Sequence, residues 1–98
     1  MAVYHFGRTT FANNISIGQN RRFTTPQSVL ISPDGTVNLR IEVIPAGATS
    51  GESVATGRFS SDVNFPINHL TSSGGQYTIR LNNAGFGTAE LNGGSVYY

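Results

Sequence analysis

The chain predicts an all-β fold: a small β-sandwich of immunoglobulin-like or jelly-roll type, with seven to nine short antiparallel strands and almost no helix. Three observations lead there. Apolar residues recur at alternate positions through most of the sequence. Clusters of Gly, Asn, Asp, Ser and Pro break that alternation at short intervals. No segment sustains the 3.6-residue period of an amphipathic helix. A small closed barrel is the alternative architecture.

The opening "MAVYHFGRTTF" is aromatic and strand-like from its second residue. "ANN", "GQN" and Pro26 make the first 26 residues looser than the rest. Residues 1–20 therefore read as an N-terminal strand or arm, and 21–98 as one sandwich domain. In "TVNLRIEVI", Val37, Leu39, Ile41 and Val43 point one way and Asn38, Arg40 and Glu42 the other. "SVLI" precedes it across "SPDG", so 28–44 reads as a hairpin. "SVATGRFS" is a strand with a bulge expected at Gly57. "VNFPINHL" alternates Val63, Phe65 and Ile67, and Pro66, lacking an amide hydrogen, places it at a sheet edge. "QYTIRL", "FGTAEL" and "SVYY" then read as a meander over 76–98, with Asn92-Gly93 as a hairpin turn.

Composition limits the function. The chain has 98 residues, enough for one domain with a thin stability margin. It has no cysteine, which excludes disulfides and thiolate metal sites. Charged residues make up 11 % and the net charge is +1, too weak a field to draw nucleic acid or an anionic membrane. No apolar run approaches the ~18 residues that suggest a membrane-spanning helix. The N-terminus shows no basic stretch followed by an apolar run, while the Gly, Ser, Thr and Asn content looks extracellular. An extracellular, cell-surface or spore-surface location is expected, or a virion.

Chemistry-bearing residues are sparse. His5 and His69 read as strand residues, and no G-x-S-x-G elbow accompanies the serines. Asp34, Glu42, Glu52, Asp62 and Glu90 are scattered. Asp34 suits a turn, and Glu42 shares the outward face of its strand with Arg40. Asp62 and Asn64 are too few for a calcium loop. Gly85 and Gly87 read as turn and strand glycines, since a strand rather than a helix follows them. Arg21, Arg22 and Phe23 resemble a single-strand nucleic-acid platform only faintly and read as a solvated strand end. The chain is therefore expected to be no enzyme, and no cofactor or metal is expected.

The two ends carry the functional reading. Val3, Tyr4, Phe6 and Phe11 lie at one end, Val96 and Tyr97 at the other. With no lysine and few charges, the chain lacks the usual guards of an exposed strand edge. These six residues are the candidate subunit interface, the N-terminal segment either pairing within its own sheet or completing a neighbour's. The ending "GGSVYY", with Tyr97 penultimate and Gly85 further back, resembles the closing strand of pilins assembled by donor-strand exchange. Small subunits of spore appendages share the general mode. That resemblance implies a homopolymer in which each N-terminal extension fills the next subunit's sheet. The chain departs from those pilins in its shorter length and its lack of cysteine. The alternatives are a carbohydrate-binding module, with glycans as partners, and a phage or virion structural protein.

Overall fold

In the computed structural model, which describes residues 2–98, the chain is a two-sheet antiparallel β-sandwich. The strands are β1 (Val3–Phe6), β2 (Thr9–Phe11), β3 (Asn14–Ser16), β4 (Phe23–Thr24), β5 (Ser28–Pro33), β6 (Val37–Pro45), β7 (Glu52–Phe59), β8 (Val63–Pro66), β9 (Gln76–Asn83) and β10 (Ala89–Tyr97). The only helical element among the described residues is a 3₁₀ turn at Asn68–Leu70, which takes His69 off the strand predicted for it. One sheet runs β1-β10-β5-β8, with β2 following β1 along the same side of β10. The other runs β3-β9-β6-β7, with β4 following β3 along β9.

The N-terminal segment accounts for the strands beyond the expected seven to nine. It pairs with β10 up to Phe11 and then crosses to the other sheet to pair with β9. Within the single chain, the N-terminal strands pack on the body: Phe11 and Ile17 are buried and Ile15 packs on the core. These strands are short because polar and glycine-rich breaks interrupt them, and those breaks made the segment look detachable.

Two predicted hairpins are corrected. β5 pairs with β10 and β8 while β6 pairs with β7 and β9, so "SPDG" carries the chain between sheets. The Asp34 amide donates to the Glu90 carbonyl of β10, and only Gly35 (φ +88°) takes a left-handed conformation there. A type I′ hairpin needs two such residues in succession. β9 and β10 likewise lie in opposite sheets, so 76–98 is no meander. After β4, the one connection that stays within a sheet is the β6–β7 hairpin.

Asn92-Gly93 is a bulge inside β10. Leu91 pairs with Pro33 and Gly93 with Ser32, an extra residue that shifts the inward positions of β10 from Ala89 and Leu91 to Gly94 and Val96. Gly93 has φ +143°, and a Cβ there would lie 2.4 Å from the Phe6 carbonyl oxygen. Only glycine fits that approach. The bulge expected at Gly57 is present: the β6–β7 register shifts between Leu39 and Arg40, opposite Thr56-Gly57, with Gly57 at φ +69°. β8, which holds Pro66, is an edge strand as expected.

Inward residues of the two sheets meet in one core. Val29, Ile31, Leu91 and Val96 come from one sheet; Leu39, Ile41, Ile79 and Leu81 come from the other, all with no exposed surface. Aromatic pairs close the two sides. Phe59 of β7 meets Phe65 of β8 edge to face, with centroids 5.1 Å apart. On the other side Phe23 of β4 stands between Tyr4 (5.7 Å) and Tyr98 (5.1 Å), again edge to face.

Candidate functional site

The six residues expected at an interface all lie on β1, β2 and β10, and the register brings them together. Val3 stands opposite Tyr97, Tyr4 opposite Val96, and Phe11 opposite Ala89. Phe6 stands opposite Gly94. In the single chain these strands belong to one molecule.

Tyr4 and Phe6 point to the core, while Val3 is 44 % exposed on the outer face. Strict alternation along one strand would place Phe11 with Val3. Instead Phe11 is buried with Tyr4 and Phe6. The break at Gly7-Arg8 lies opposite the Asn92-Gly93 bulge, so both strands change face together and the pairing register is kept. The segment thus presents three aromatic anchors, Tyr4, Phe6 and Phe11, on one side. The Asn92-Gly93 bulge is the sequence signal for that face change, because it sits beside the strand break.

Polar contacts fasten the break. Arg8 donates to Asp34 Oδ2 at 2.7 Å and to Asn92 Oδ1 at 3.0 Å. Its hydrogen bond and ion pair with Asp34 hold the guanidinium pKa above its ordinary value. At the other end of β1, the amide of Tyr98 donates to the Ala2 carbonyl at 2.9 Å. Arg21 stacks on the Tyr4 ring, 4.8 Å from its centroid, and donates to the Tyr98 hydroxyl at 3.2 Å. Arg21 and Phe23 therefore do not form a solvated strand end: Phe23 has no exposed surface, and Arg21 covers the aromatic stack.

Between the edges β1 and β3 lies a cavity of about 270 Å³, lined by apolar Phe6, Ile15, Ile17 and Leu81 and by polar Ser16 and Gln19. Gly18, Gln19 and Asn20 follow in the left-handed region, with φ of 67°, 56° and 67°. For the two non-glycine residues such backbone is strained, by about 1–3 kcal/mol each.

One potential nucleophile–base pair does meet. His5 Nδ1 and Ser95 Oγ are 2.7 Å apart across β1 and β10. Among the described residues no carboxylate hydrogen-bonds the ring, and neither main cavity touches the pair. The contact acts as a cross-strand pin. Glu42 shares a strand with Arg40, but its partners lie on neighbouring segments. It accepts from Arg80 Nε at 2.9 Å and Nη2 at 2.8 Å, and from the Gly51 amide at 3.0 Å. Burial pushes its carboxyl up, but these hydrogen bonds and one from Asn82 together outweigh burial and hold it below the ordinary range. No cluster of three or more His, Asp or Glu suited to a metal occurs among the described residues. No described helix is long and apolar enough to cross a membrane.

Fold and edge together define a small β-sandwich whose two termini share one strand pair. No protein-family model matches the chain, nor does any curated protein or solved structure.

Proposed function

We propose that the protein is a structural, non-enzymatic subunit that assembles with copies of itself, the segment 2–11 of one copy pairing with β10 of the next. One observation carries this reading: β1 and β2 form a sheet edge whose strand pairing is to β10 alone. A segment so placed leaves one molecule and enters another with the same hydrogen bonds and the same three anchors. Exchange therefore needs no new interface chemistry. The connection to β3 passes through Ala12-Asn13, and strained backbone at Gln19 and Asn20 follows β3. The low charge of the chain permits dense packing of copies. A surface fibre outside a cell or on a spore suits this chemistry, and a virion component is the second setting.

Electron microscopy and sedimentation of the full chain and of a chain lacking residues 1–11 test the proposal. Filaments are expected from the first, and soluble, β-rich, unassembled protein from the second. A peptide of residues 1–11 should bind the shortened chain. A shortened chain that still forms filaments would end the proposal, as would a full chain that stays monomeric at high concentration.

A further inference from the structure

We infer that the cleft beside Phe86 is a saccharide site, and that its occupant is a sugar ring bearing a carboxylate. Phe86, in the loop between β9 and β10, is 99 % exposed. A phenyl ring left wholly in water adds nothing to the core. The loop that carries it is nevertheless firmly built. The Asn83 amide donates to the carbonyls of Ala12 (3.0 Å) and Gly87 (2.8 Å), and its oxygen accepts from the Gly85 amide (3.0 Å). The Ala84 amide donates to the Asn38 carbonyl at 2.8 Å. The ring is thus presented on a fixed support.

Beside it lies a cleft of about 220 Å³. That is below the roughly 300–1,000 Å³ of pockets for drug-sized ligands, and suits one small ring. Its walls bring Thr36, Asn38, Arg58 and Thr88 together with Phe86. Asn38 and Arg58 are cross-strand partners on β6 and β7, which fixes their spacing. Among the described residues, none of these four polar side chains has an intramolecular hydrogen bond, and Arg58 has no ion-pair partner. No carboxylate lines the cleft. A sugar matches each feature. Its C–H face packs on the phenyl ring, its hydroxyls meet the amide and hydroxyl groups, and a carboxylate meets the guanidinium in paired hydrogen bonds. A single arginine with three neutral partners favours one carboxylate over a phosphate chain.

The inference does not depend on self-assembly, because the cleft is built from residues outside β1 and β2. Equilibrium dialysis of the full chain against fluorescently tagged trigalacturonic acid, tagged maltotriose and a tagged adenine nucleotide provides the test, since it reads binding in monomer and polymer alike. Trigalacturonic acid should bind best. Phe86→Ala should weaken it at least tenfold, and Arg58→Gln should abolish its advantage over maltotriose. Both side chains are exposed, and unchanged circular dichroism and melting of the variants would show the fold intact. Equal binding of the two sugars, stronger binding of the nucleotide, or full affinity in Phe86→Ala would overturn the inference. So would a Phe86→Ala variant whose only change is its sedimentation, since Phe86 would then be a contact between copies.

Discussion

The Phe6 ring lies over Gly94: a Cβ on Gly94 would stand 2.6 Å from Phe6 Cζ and 2.2 Å from the Leu30 carbonyl oxygen. The glycine therefore sets two distances at once, the seating of the N-terminal strand and the spacing of β10 from β5. Both contacts are far inside van der Waals range, so any side chain here must move a strand.

Gly94→Ala should accordingly destabilise the fold by about 1–3 kcal/mol, the range for overpacking a well-filled site. Urea denaturation reads the change. Because Leu30 contributes a backbone atom, removing the ring as well, in Gly94→Ala with Phe6→Ala, should not restore stability. Full recovery in the double variant would show that the ring alone sets the constraint.

The Glu42 network predicts acid sensitivity. Its carboxyl has a folded pKa below the ordinary value. Such a group contributes stability that is fully present above the unfolded pKa, about 4.3. That stability is lost as pH falls through the folded value. Wild-type melting temperature should therefore drop below about pH 4.3. Glu42→Gln should lose about 1.5–3 kcal/mol near neutrality, the range for hydrogen bonds to a charged group. It should also show a flatter acid limb in a melting-temperature profile. An identical acid limb in the variant would place the titration elsewhere.

Phe23 and Phe86 should separate cleanly. Phe23, with no exposed surface and two edge-to-face neighbours, should cost about 3–5 kcal/mol on substitution by alanine. Phe86→Ala, at 99 % exposure, should change stability by no more than about 0.5 kcal/mol. Thermal or urea melts of the two variants make the comparison.

The contrast between these phenylalanines also shows what alternation can reveal. In β6 the period marked Val37, Leu39, Ile41 and Val43 as inward, and all four are buried. It did not say which sheet a strand joins, because strands facing each other across a core and strands paired side by side carry the same pattern. Hence "SPDG" looked like a hairpin while its strands hydrogen-bond elsewhere. Asn92-Gly93 had the residues of a turn, but it lies beside β1, where the approach of the Phe6 carbonyl requires a glycine. Phe86 reads as the first residue of the "FGTAEL" strand, but β10 begins only at Ala89 and the ring is exposed, since exposure follows from what does not pack against it. The six candidate residues stand out in the sequence because aromatic strand formers at both ends of a weakly charged chain are visible without knowledge of the pairing.

The last prediction asks which molecule supplies β1. Ala2 and Tyr98 exchange backbone hydrogen bonds, so two residues further along Tyr4 and Val96 do the same, and His5 and Ser95, one position beyond, form a closer, non-hydrogen-bonded pair. Their side chains already meet at 2.7 Å. Cysteines at both positions, His5→Cys with Ser95→Cys, should therefore reach disulfide geometry. The native chain has no cysteine, so no other thiol can interfere. If copies exchange the strand, mild oxidation of assembled protein should give a ladder of covalent multimers on a non-reducing gel. Either single-cysteine variant should give monomer and at most dimer. A double variant that oxidises fully at monomer mass, with no free thiol left, would place β1 in its own chain and end the exchange reading.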